Sequence, residues 1–280
     1  MTVPHQNALF RMTLNHDIIE LNGEPAQLED LRMVAQTNYG HFTVMQARDG
    51  QVQGLDLHLD RLREGTRELF ASDLDPDRVR AYLRHALAGA SGARSLRITV
   101  FSRGFNREAP GTPAQADVLI VATSVAAATL TPLRLKSFCY QRELAQIKHV
   151  GTFALFHYRR LAQQAGFDDA LFVDAHGFVS EASVWNIGFH DGDRFVWPIA
   201  AQLSGTNMRL VQAGMDRLDV AQATRRVPLT DLSRMHAAFV CNANAIARAV
   251  VCIDDVEFSV TDDLIEMITR CHDTNPWQSP

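Results

Sequence analysis

The sequence contains almost no lysine. Of its 27 cationic residues, two are lysines, Lys136 and Lys148, and the rest are arginines. Arginine replaces lysine freely as a surface charge, but it neither forms an imine nor gives up its proton. A lysine-dependent chemistry therefore has two candidate positions. A bias of base composition toward arginine codons explains the same scarcity, so either lysine could also be an ordinary surface residue.

Metal-binding and disulfide patterns are also missing. The eleven histidines include no HExxH or HxH pair, and the four cysteines have no CxxC spacing. A chain of 280 residues does not need disulfides to fold. We therefore expect no metal site, and we expect reduced, buried thiols at Cys139, Cys241, Cys252 and Cys271.

Long apolar runs, excess positive charge and a leader pattern are missing as well. No run approaches the roughly 18 apolar residues that a membrane-spanning helix needs. The net charge is -5 and the pI is near 6.1, which disfavours nucleic acid because phosphate binding needs clustered cations. Residues 1–12 show no signal-peptide pattern. We expect a cytoplasmic protein without membrane or nucleic-acid partners.

The length and the patterning indicate two α/β domains. The chain is about twice the usual length of one domain. A segment rich in small residues, 124–132, separates two strand-like runs. We therefore predict an N-terminal domain at 1–123, a linker at 124–132 and a C-terminal domain at 133–280.

The local patterns predict the elements of both domains. In the first domain they indicate a hairpin turn at Asp49-Gly50, an N-cap at Asp75, strands at 18–26, 41–55, 94–102 and 116–124, and helices at 58–70 and 78–88. In the second they predict a helix stripe that starts at Val150 and stops at Gly166, an antiparallel meander through 168–174, 178–189 and 193–198, a helix at 206–218, strands at 237–242 and 249–253, and a helix from Thr261.

Five short motifs follow one another in a recognisable order. They are HLDRL at 58–62, IKHVGT at 147–152, ALFVD at 170–174, SEASVWNIGF at 180–189 and the helix start Gly205-Thr206-Asn207. Their succession resembles the fold type IV pyridoxal-phosphate enzymes, which include branched-chain and D-amino-acid aminotransferases and 4-amino-4-deoxychorismate lyase. The resemblance implies a small N-terminal α/β domain, a larger C-terminal pyridoxal-phosphate-binding α/β domain, the cofactor in the cleft between them, and a homodimer.

The resemblance assigns the central chemistry to Lys148 and Glu181. Lys148 would carry the cofactor as a Schiff base and then move the α-proton, a double role that requires an amine. Glu181 would face the pyridine nitrogen and keep it protonated, so that the ring accepts electrons. The alternative for Glu181 is an exposed carboxylate at the end of a strand.

The resemblance also implies the remaining cofactor contacts. Arg61 and the amides of Thr206 and Asn207 at a helix N-terminus would bind the phosphate, with further contacts from Ser183, Gly205 and Asn244. Family members usually have isoleucine and threonine where this chain has Thr206 and Asn207, and aminotransferases often have a threonine near Ala243 or Asn244. Arg61 could instead lie on the solvated face of its helix.

The substrate side departs further from the family pattern. Family members usually have a glycine-aspartate-glycine turn before the substrate-facing aromatic, which would be Phe42 here. Tyr39, His41 and Thr43 surround that position, and Tyr39 and His41 could equally form a hydrogen-bonded turn and a surface imidazole. We expect the substrate carboxylate to bind Arg103 and Arg107, which could also be exposed loop charges.

The resemblance implies amino-group transfer between a small amino acid and a 2-oxo acid. One alternative is pyruvate elimination from aminodeoxychorismate, because Cys241-Asn242-Ala243 and the IKH at Lys148 are similar to the deoxychorismate lyases. A third is a degenerate homologue that binds the cofactor without turnover, because residues 206–207 and 243–244 depart from the family pattern. A shared fold does not choose among these reactions.

Overall fold

The computed structural model describes residues 17–89, 91–125, 131–259 and 262–280. Within these ranges the chain forms two β-sheets, each flanked by α-helices. The two-sheet α/β architecture agrees with the predicted fold class.

The first sheet is antiparallel throughout. Its strands are β1 (Ile18–Leu21), β2 (Glu24–Pro25), β3 (His41–Arg48), β4 (Gln51–Gln53), β5 (Ala93–Phe101), β6 (Asp117–Ser124) and a late strand, β16 (Trp277–Gln278). They are arranged in the order β16-β4-β3-β5-β6-β1-β2. The accompanying helices are α1 (Leu28–Thr37), α2 (Leu55–Phe70) and α3 (Pro76–Ala86).

The helices α2 and α3 cover the core of this sheet. One face of α2 carries four buried leucines, Leu55, Leu59, Leu62 and Leu69. Burial of such an apolar face is the main force that holds an amphipathic helix on a sheet. The Asp75 carboxylate accepts a hydrogen bond from the Asp77 amide and Pro76 occupies the first helical turn, as predicted. Both helices begin two or three residues earlier than predicted, at Leu55 and Pro76.

Two features of the first sheet test the sequence pattern directly. The hairpin between β3 and β4 turns at Asp49 and Gly50, both with positive φ, so the predicted turn is confirmed. Helix α1 was not predicted, because none of its residues is fully buried. Its apolar residues Leu31 and Val34 only partly pack against a small cluster around Phe101, so they give a weak periodic signal.

Among the described residues, the second sheet contains nine strands. They are β7 (Leu133–Cys139), β8 (Asp169–Val173), β9 (Val179–Ala182), β10 (Asn186–His190), β11 (Phe195–Pro198), β12 (Gln222–Arg225), β13 (Ala237–Asn242), β14 (Ala245–Ile253) and β15 (Val256–Glu257). Around them lie α4 (Phe153–Gln164), α5 (Thr206–Arg217), a 3₁₀ helix (Leu229–Arg234) and α6 (Asp262–Asp273). The main path runs β12-β11-β10-β13-β14-β7-β8-β9, and β15 pairs with β14.

The helices and late strands of this half lie close to the predicted ranges, with small shifts. Val150, which we placed on the α4 stripe, lies in the loop before the helix, while Gly166 follows the helix with positive φ. Strand β14 begins four residues before the predicted start at residue 249. The predicted start of the last helix, Thr261, lies outside the described residues, and α6 is described from Asp262.

The predicted antiparallel meander in this half is wrong in one respect. Strands β8 and β9 pair, and so do β10 and β11, but β10 pairs on its other side with β13 rather than with β9. A tight turn separates β9 from β10, closed by a hydrogen bond of 2.9 Å from the Ala182 amide to the Trp185 carbonyl. Strand β9 is the last strand of the sheet and β10 is an inner strand, yet this turn holds the two strands next to each other. The sheet is therefore curved.

The boundary between the halves stays a prediction. Residues 126–130 of the predicted linker lie outside the described residues. In addition, Trp277 and Gln278 pair with Gln53 and Val52 of the first sheet, although we assigned them to the second domain. The chain thus returns to its first half after completing the second.

Two surface properties complete the description of the fold. Cys139, predicted to be buried with the other three thiols, is exposed because it ends β7. None of the described helices is long and apolar enough to cross a membrane.

Candidate active site

A cavity of about 310 Å³ lies between the two sheets. One wall is the face of the first sheet around β3 and β5, and the other is formed by β9, β10, the turn after β13 and the N-terminal ends of α4 and α5. Most of the predicted site residues line it: Phe42, Arg61, Lys148, Glu181, Ser183, Gly205, Thr206, Asn207 and Asn244.

Lys148 lies in the loop between β7 and α4, and the first sheet holds that loop in place. The Phe42 amide donates a hydrogen bond of 2.9 Å to the Lys148 carbonyl, and the Val150 amide donates one of 2.9 Å to the Gly40 carbonyl. Ile147 is buried in the core of the first sheet. The Lys148 ammonium nitrogen consequently lies 4.9 Å from the centre of the Phe42 ring.

The environment of Lys148 favours the neutral amine. Burial, followed by the nearby charges of Arg61 and Arg142, lowers the pKa of Lys148 from 10.5 to about 7, although Glu181 acts in the opposite direction. An amine with a pKa near neutrality is present in its nucleophilic, proton-accepting form at physiological pH. Lys148 can therefore act as a nucleophile and as a base, which an exposed lysine cannot do efficiently.

Glu181 is buried on β9, with both carboxylate oxygens engaged. Arg142 Nε lies 3.3 Å from Oε1, and the Leu203 amide donates a hydrogen bond of 3.1 Å to Oε2. Burial raises the pKa of Glu181, while Arg142 and the Leu203 amide lower it. The side chain is 9% exposed, so it is not the exposed strand-end carboxylate that the sequence left open.

The N-terminus of α5 has the features of an anion-binding site. Gly205 is the N-cap and no side chain caps the helix. The buried atoms Thr206 Oγ1 and Asn207 Oδ1 have no hydrogen-bond partner among the described residues. A Cβ on Gly205 would lie 1.8 Å from Asn186 Oδ1, so only glycine fits there. Free amides and the helix dipole at such an end attract an anion.

Arg61 brings positive charge to the same end of the cavity. Its Nη2 donates a hydrogen bond of 2.6 Å to the Ser204 carbonyl, immediately before α5. Burial and the like charges of Arg209 and Arg142 lower the pKa of Arg61 to about 10. Crowded cations of this kind repel one another until an anion binds among them. The arrangement suits a doubly charged group such as a phosphate.

Four predicted substrate residues lie outside the cavity of their own chain. The Tyr39 hydroxyl donates a hydrogen bond to the Leu69 carbonyl, Thr43 Oγ1 contacts His58 Nδ1 at 2.6 Å, and Arg103 forms ion pairs with Asp30 and Asp117. Arg107 is exposed on the loop after β5. Within one chain these residues therefore do not line the cavity, and their role toward a substrate stays a prediction.

His41, which we considered as a surface imidazole or a pocket residue, is neither. It is buried, and its Nε2 lies 3.1 Å from the Thr66 hydroxyl. The ring packs so closely on Gly65 that a Cβ there would be 2.7 Å from His41 Nδ1. His41 is a structural residue that joins β3 to α2.

Several cavity residues were missed at the sequence level. Arg97 lies on β5, with its guanidinium carbon 3.6 Å from the centre of the Phe42 ring. Arg159 on α4 has its Nε 3.6 Å from the fully buried carboxylate of Asp169, which also accepts a hydrogen bond from Trp185. Arg142, the partner of Glu181, was missed as well. Strand alternation around Phe42 could have indicated Arg97, but no sequence signal pairs Arg142 with Glu181.

Comparisons with known proteins identify the family and the fold of the chain. The family profile described as amino-transferase class IV matches residues 40–252. The fold is similar to that of a branched-chain aminotransferase from Thermoproteus uzoniensis, with a TM-score of 0.81 and 16% identity over 91% of this chain and 93% of that one. A PLP-bound hypothetical aminotransferase from Mycobacterium tuberculosis gives a TM-score of 0.77, with 17% identity over 92% and 98% of the two chains.

A third structure, a fold IV transaminase from Curtobacterium pusillum, gives a TM-score of 0.73 with 19% identity over 85% of this chain and 87% of that one. At these identities the structural likeness shows the fold alone. A search among curated protein sequences found no significant match.

Proposed function

Because the chain belongs to the class IV aminotransferase family, we propose that it is a pyridoxal-phosphate-dependent aminotransferase that moves an amino group between an amino acid and a 2-oxo acid. One observation carries this proposal: a single cavity contains the near-neutral amine of Lys148, the buried carboxylate of Glu181 and the anion-binding end of α5. Each of the three groups matches one part of the cofactor.

The residues present fit pyridoxal phosphate. The unpartnered polar atoms of Thr206 and Asn207, the free helix end and Arg61 form a cradle for a phosphate. Glu181 offers a buried acceptor for a protonated ring nitrogen, and Lys148 offers the amine for the aldehyde. When bound, the cofactor supplies that aldehyde and a ring that withdraws electrons from the substrate α-carbon.

The protein contributes proton transfer, orientation and charge. Lys148 takes the α-proton and returns it, which its lowered pKa permits at neutral pH. Glu181 stabilises a proton on the ring nitrogen through a charge-assisted hydrogen bond. Arg97 and Arg159 are the other cavity-lining arginines, and we assign to them a contact with the carboxylate of the substrate.

We also propose that the functional form is a homodimer. Phe153 and Phe156 lie one turn apart on α4 and are 81% and 54% exposed. Phe156 also lines the cavity, so the apolar surface is continuous with the rim of the site. A second copy would cover these side chains, since exposed aromatic clusters are unfavourable in water. Sedimentation of wild type and a Phe153→Ser variant tests this, and a monomeric wild-type protein would contradict it.

A panel of single amino donors, mixed with enzyme in the absence of an acceptor, tests the reaction. Aminotransfer requires stoichiometric release of a 2-oxo acid and conversion of the cofactor to its pyridoxamine form. Asn242 and Ala243, which are similar to the lyases at the sequence level, line the cavity and favour pyruvate elimination as the second candidate. Pyruvate release from aminodeoxychorismate with no conversion by any donor would replace our proposal with the lyase. Cofactor binding without either reaction would indicate the degenerate homologue.

A further inference from the structure

Lys148 and Arg142 lie on the same loop, between β7 and α4, but only Arg142 contacts a carboxylate. Arg142 Nε is 3.3 Å from Glu181 Oε1, and its side chain is 6% exposed. No carboxylate oxygen in the described ranges lies within 4.0 Å of Lys148 Nζ, whereas Lys136 Nζ is 2.7 Å from Asp254. The two cations of the loop therefore have different roles toward Glu181.

We propose that Arg142 is the resident counterion of Glu181 and that, by holding this carboxylate, it keeps the amine of Lys148 unpaired. Arg142 is thus a positioning residue that acts through Glu181. The inference rests on the proposed function, because it assigns Lys148 the role of the reacting amine.

Both carboxylate oxygens of Glu181 have partners other than Lys148. The Leu203 amide occupies Oε2 at 3.1 Å, and Arg142 occupies Oε1. Arg142 also donates a hydrogen bond to the Ala145 carbonyl in its own loop. The same side chain therefore folds the lysine loop and fixes it to β9.

Burial and the charges around Lys148 together favour a neutral amine, and Arg142 is one of those charges. Arg61 on α2, Arg97 on β5 and Arg142 on its own loop disfavour the ammonium, and Glu181 on β9 favours it. The buried His58 of α2 is neutral, since burial lowers its pKa to about 3. Without Arg142, Glu181 loses its ion-pair partner and the ammonium of Lys148 becomes the cation that compensates the buried charge.

Acylation of the cofactor-free protein measures this effect directly. The initial rate of acetic anhydride labelling at Lys148, followed by peptide mass spectrometry across pH, reports the fraction of neutral amine. In Arg142→Gln, the midpoint of the pH dependence of labelling at Lys148 should rise by about one pH unit. The labelling rate of Lys148 at pH 7 should then fall about fivefold. Lys136 is the only other lysine in the sequence and should keep its profile in every variant, so it serves as an internal reference.

Two further variants separate the proposed role from simple structural damage. Arg142→Lys keeps the charge and should hold the Lys148 midpoint near the wild-type value. In a Glu181→Gln background, Arg142→Gln should shift the midpoint much less than it does alone, because no carboxylate then remains to pair with the lysine. The double variant should also unfold at a higher temperature than Arg142→Gln, since it lacks the buried carboxylate that has lost its arginine partner.

An unchanged Lys148 midpoint in folded Arg142→Gln would overturn the inference. So would an equal shift in both backgrounds, because Arg142 would then act on Lys148 without Glu181. If Arg142→Gln does not fold, the Arg142→Lys and double variants still decide, through their midpoints and melting temperatures. All readings come from the cofactor-free protein, so a failure here leaves the donor experiment, and with it the proposed function, unaffected.

Discussion

The amide of Phe42 donates a hydrogen bond of 2.9 Å to the carbonyl oxygen of Lys148. The first sheet thereby positions the backbone of the lysine and also supplies the aromatic face beneath its amine. Neither half of the chain forms the site alone, because the lysine loop follows β7 of the second sheet while its hydrogen-bond partner lies on β3 of the first. This relationship makes the chemistry of Lys148 depend on the packing of the two halves.

We expect the cofactor to attach to Lys148 alone. Borohydride reduction of the cofactor-bound protein should fix the cofactor to the peptide that contains Lys148. The pKa of this amine is lowered to about 7, so a large fraction of it is unprotonated at pH 7. Lys136→Arg is the matched control and should label as wild type does, since Lys136 pairs with Asp254 outside the cavity. Label on Lys136, or none on either peptide, would contradict the assignment.

Arg61 should determine cofactor affinity. Arg61→Ala removes the guanidinium at the free end of α5, and the loss of a charge-assisted hydrogen bond of about 1.5–3 kcal/mol should weaken binding by one to two orders of magnitude. Arg61→Lys should weaken cofactor binding less, because lysine keeps the charge but cannot donate the two parallel hydrogen bonds of a guanidinium. Arg63→Ala, on the same helix and paired with Asp60 at 3.6 Å, is the control. Fluorescence titration with the cofactor measures all four proteins, and equal affinities would exclude Arg61 from the site.

Glu181→Gln should retain the cofactor and slow removal of the α-proton. The amide keeps the shape of the side chain but not the charge that holds a proton on the ring nitrogen, so we expect a half-reaction slower by about tenfold or more. Glu68→Gln, an exposed carboxylate on α2, is the control. Stopped-flow absorbance with one donor gives the rate, and a wild-type rate in Glu181→Gln would show that another group fulfils this role.

Acid should destabilise the protein through two buried histidines. Burial lowers the pKa of His41 to about 4 and, together with the charges of Arg61 and Lys148, lowers that of His58 to about 3. Below pH 6.5 the unfolded chain binds protons at these positions and the folded chain does not, so the free energy of unfolding falls as the pH drops toward 4. Each histidine should contribute a loss of about 1.4 kcal/mol per pH unit in this range.

Urea unfolding at two pH values within this range isolates the effect. The free energy of unfolding should depend less on pH in His41→Gln and in His58→Gln than in wild type. His157→Gln, at an exposed position on α4, should keep the wild-type pH dependence. Identical slopes in all four proteins would show that the buried imidazoles are protonated in the folded state.

Much of the fold follows from local patterns in the sequence. The Asp49-Gly50 turn, the Asp75 cap and the start of α5 each have a specific side-chain or backbone requirement that the residues reveal. Helix α1 was missed because its stripe is only partly buried. The two-residue strand β16 was missed because so short a pairing leaves no periodicity, and its partner lies more than 200 residues earlier in the sequence.

The site was less predictable than the fold. The order of motifs brought Lys148, Glu181 and the α5 end to attention, and all three line one cavity. Arg142 has no such signal, because an arginine is usually a surface charge and its partner is decided by tertiary packing. The loop residues Arg103 and Arg107 matched the expected chemistry but not the geometry of one chain, since acidic neighbours on α1 and β6 bind Arg103 instead.

The late strand β16 has a consequence for how the protein is made. It covers the outer edge of β4, and Gln278 Oε1 accepts a hydrogen bond of 2.7 Å from the Leu55 amide at the start of α2. During synthesis the first half leaves the ribosome long before these residues, so its β4 edge and the first amide of α2 stay open. Open strand edges pair with other chains, and multidomain proteins misassemble at this stage. The β4 edge is therefore covered only after residues 277 and 278 have been synthesised.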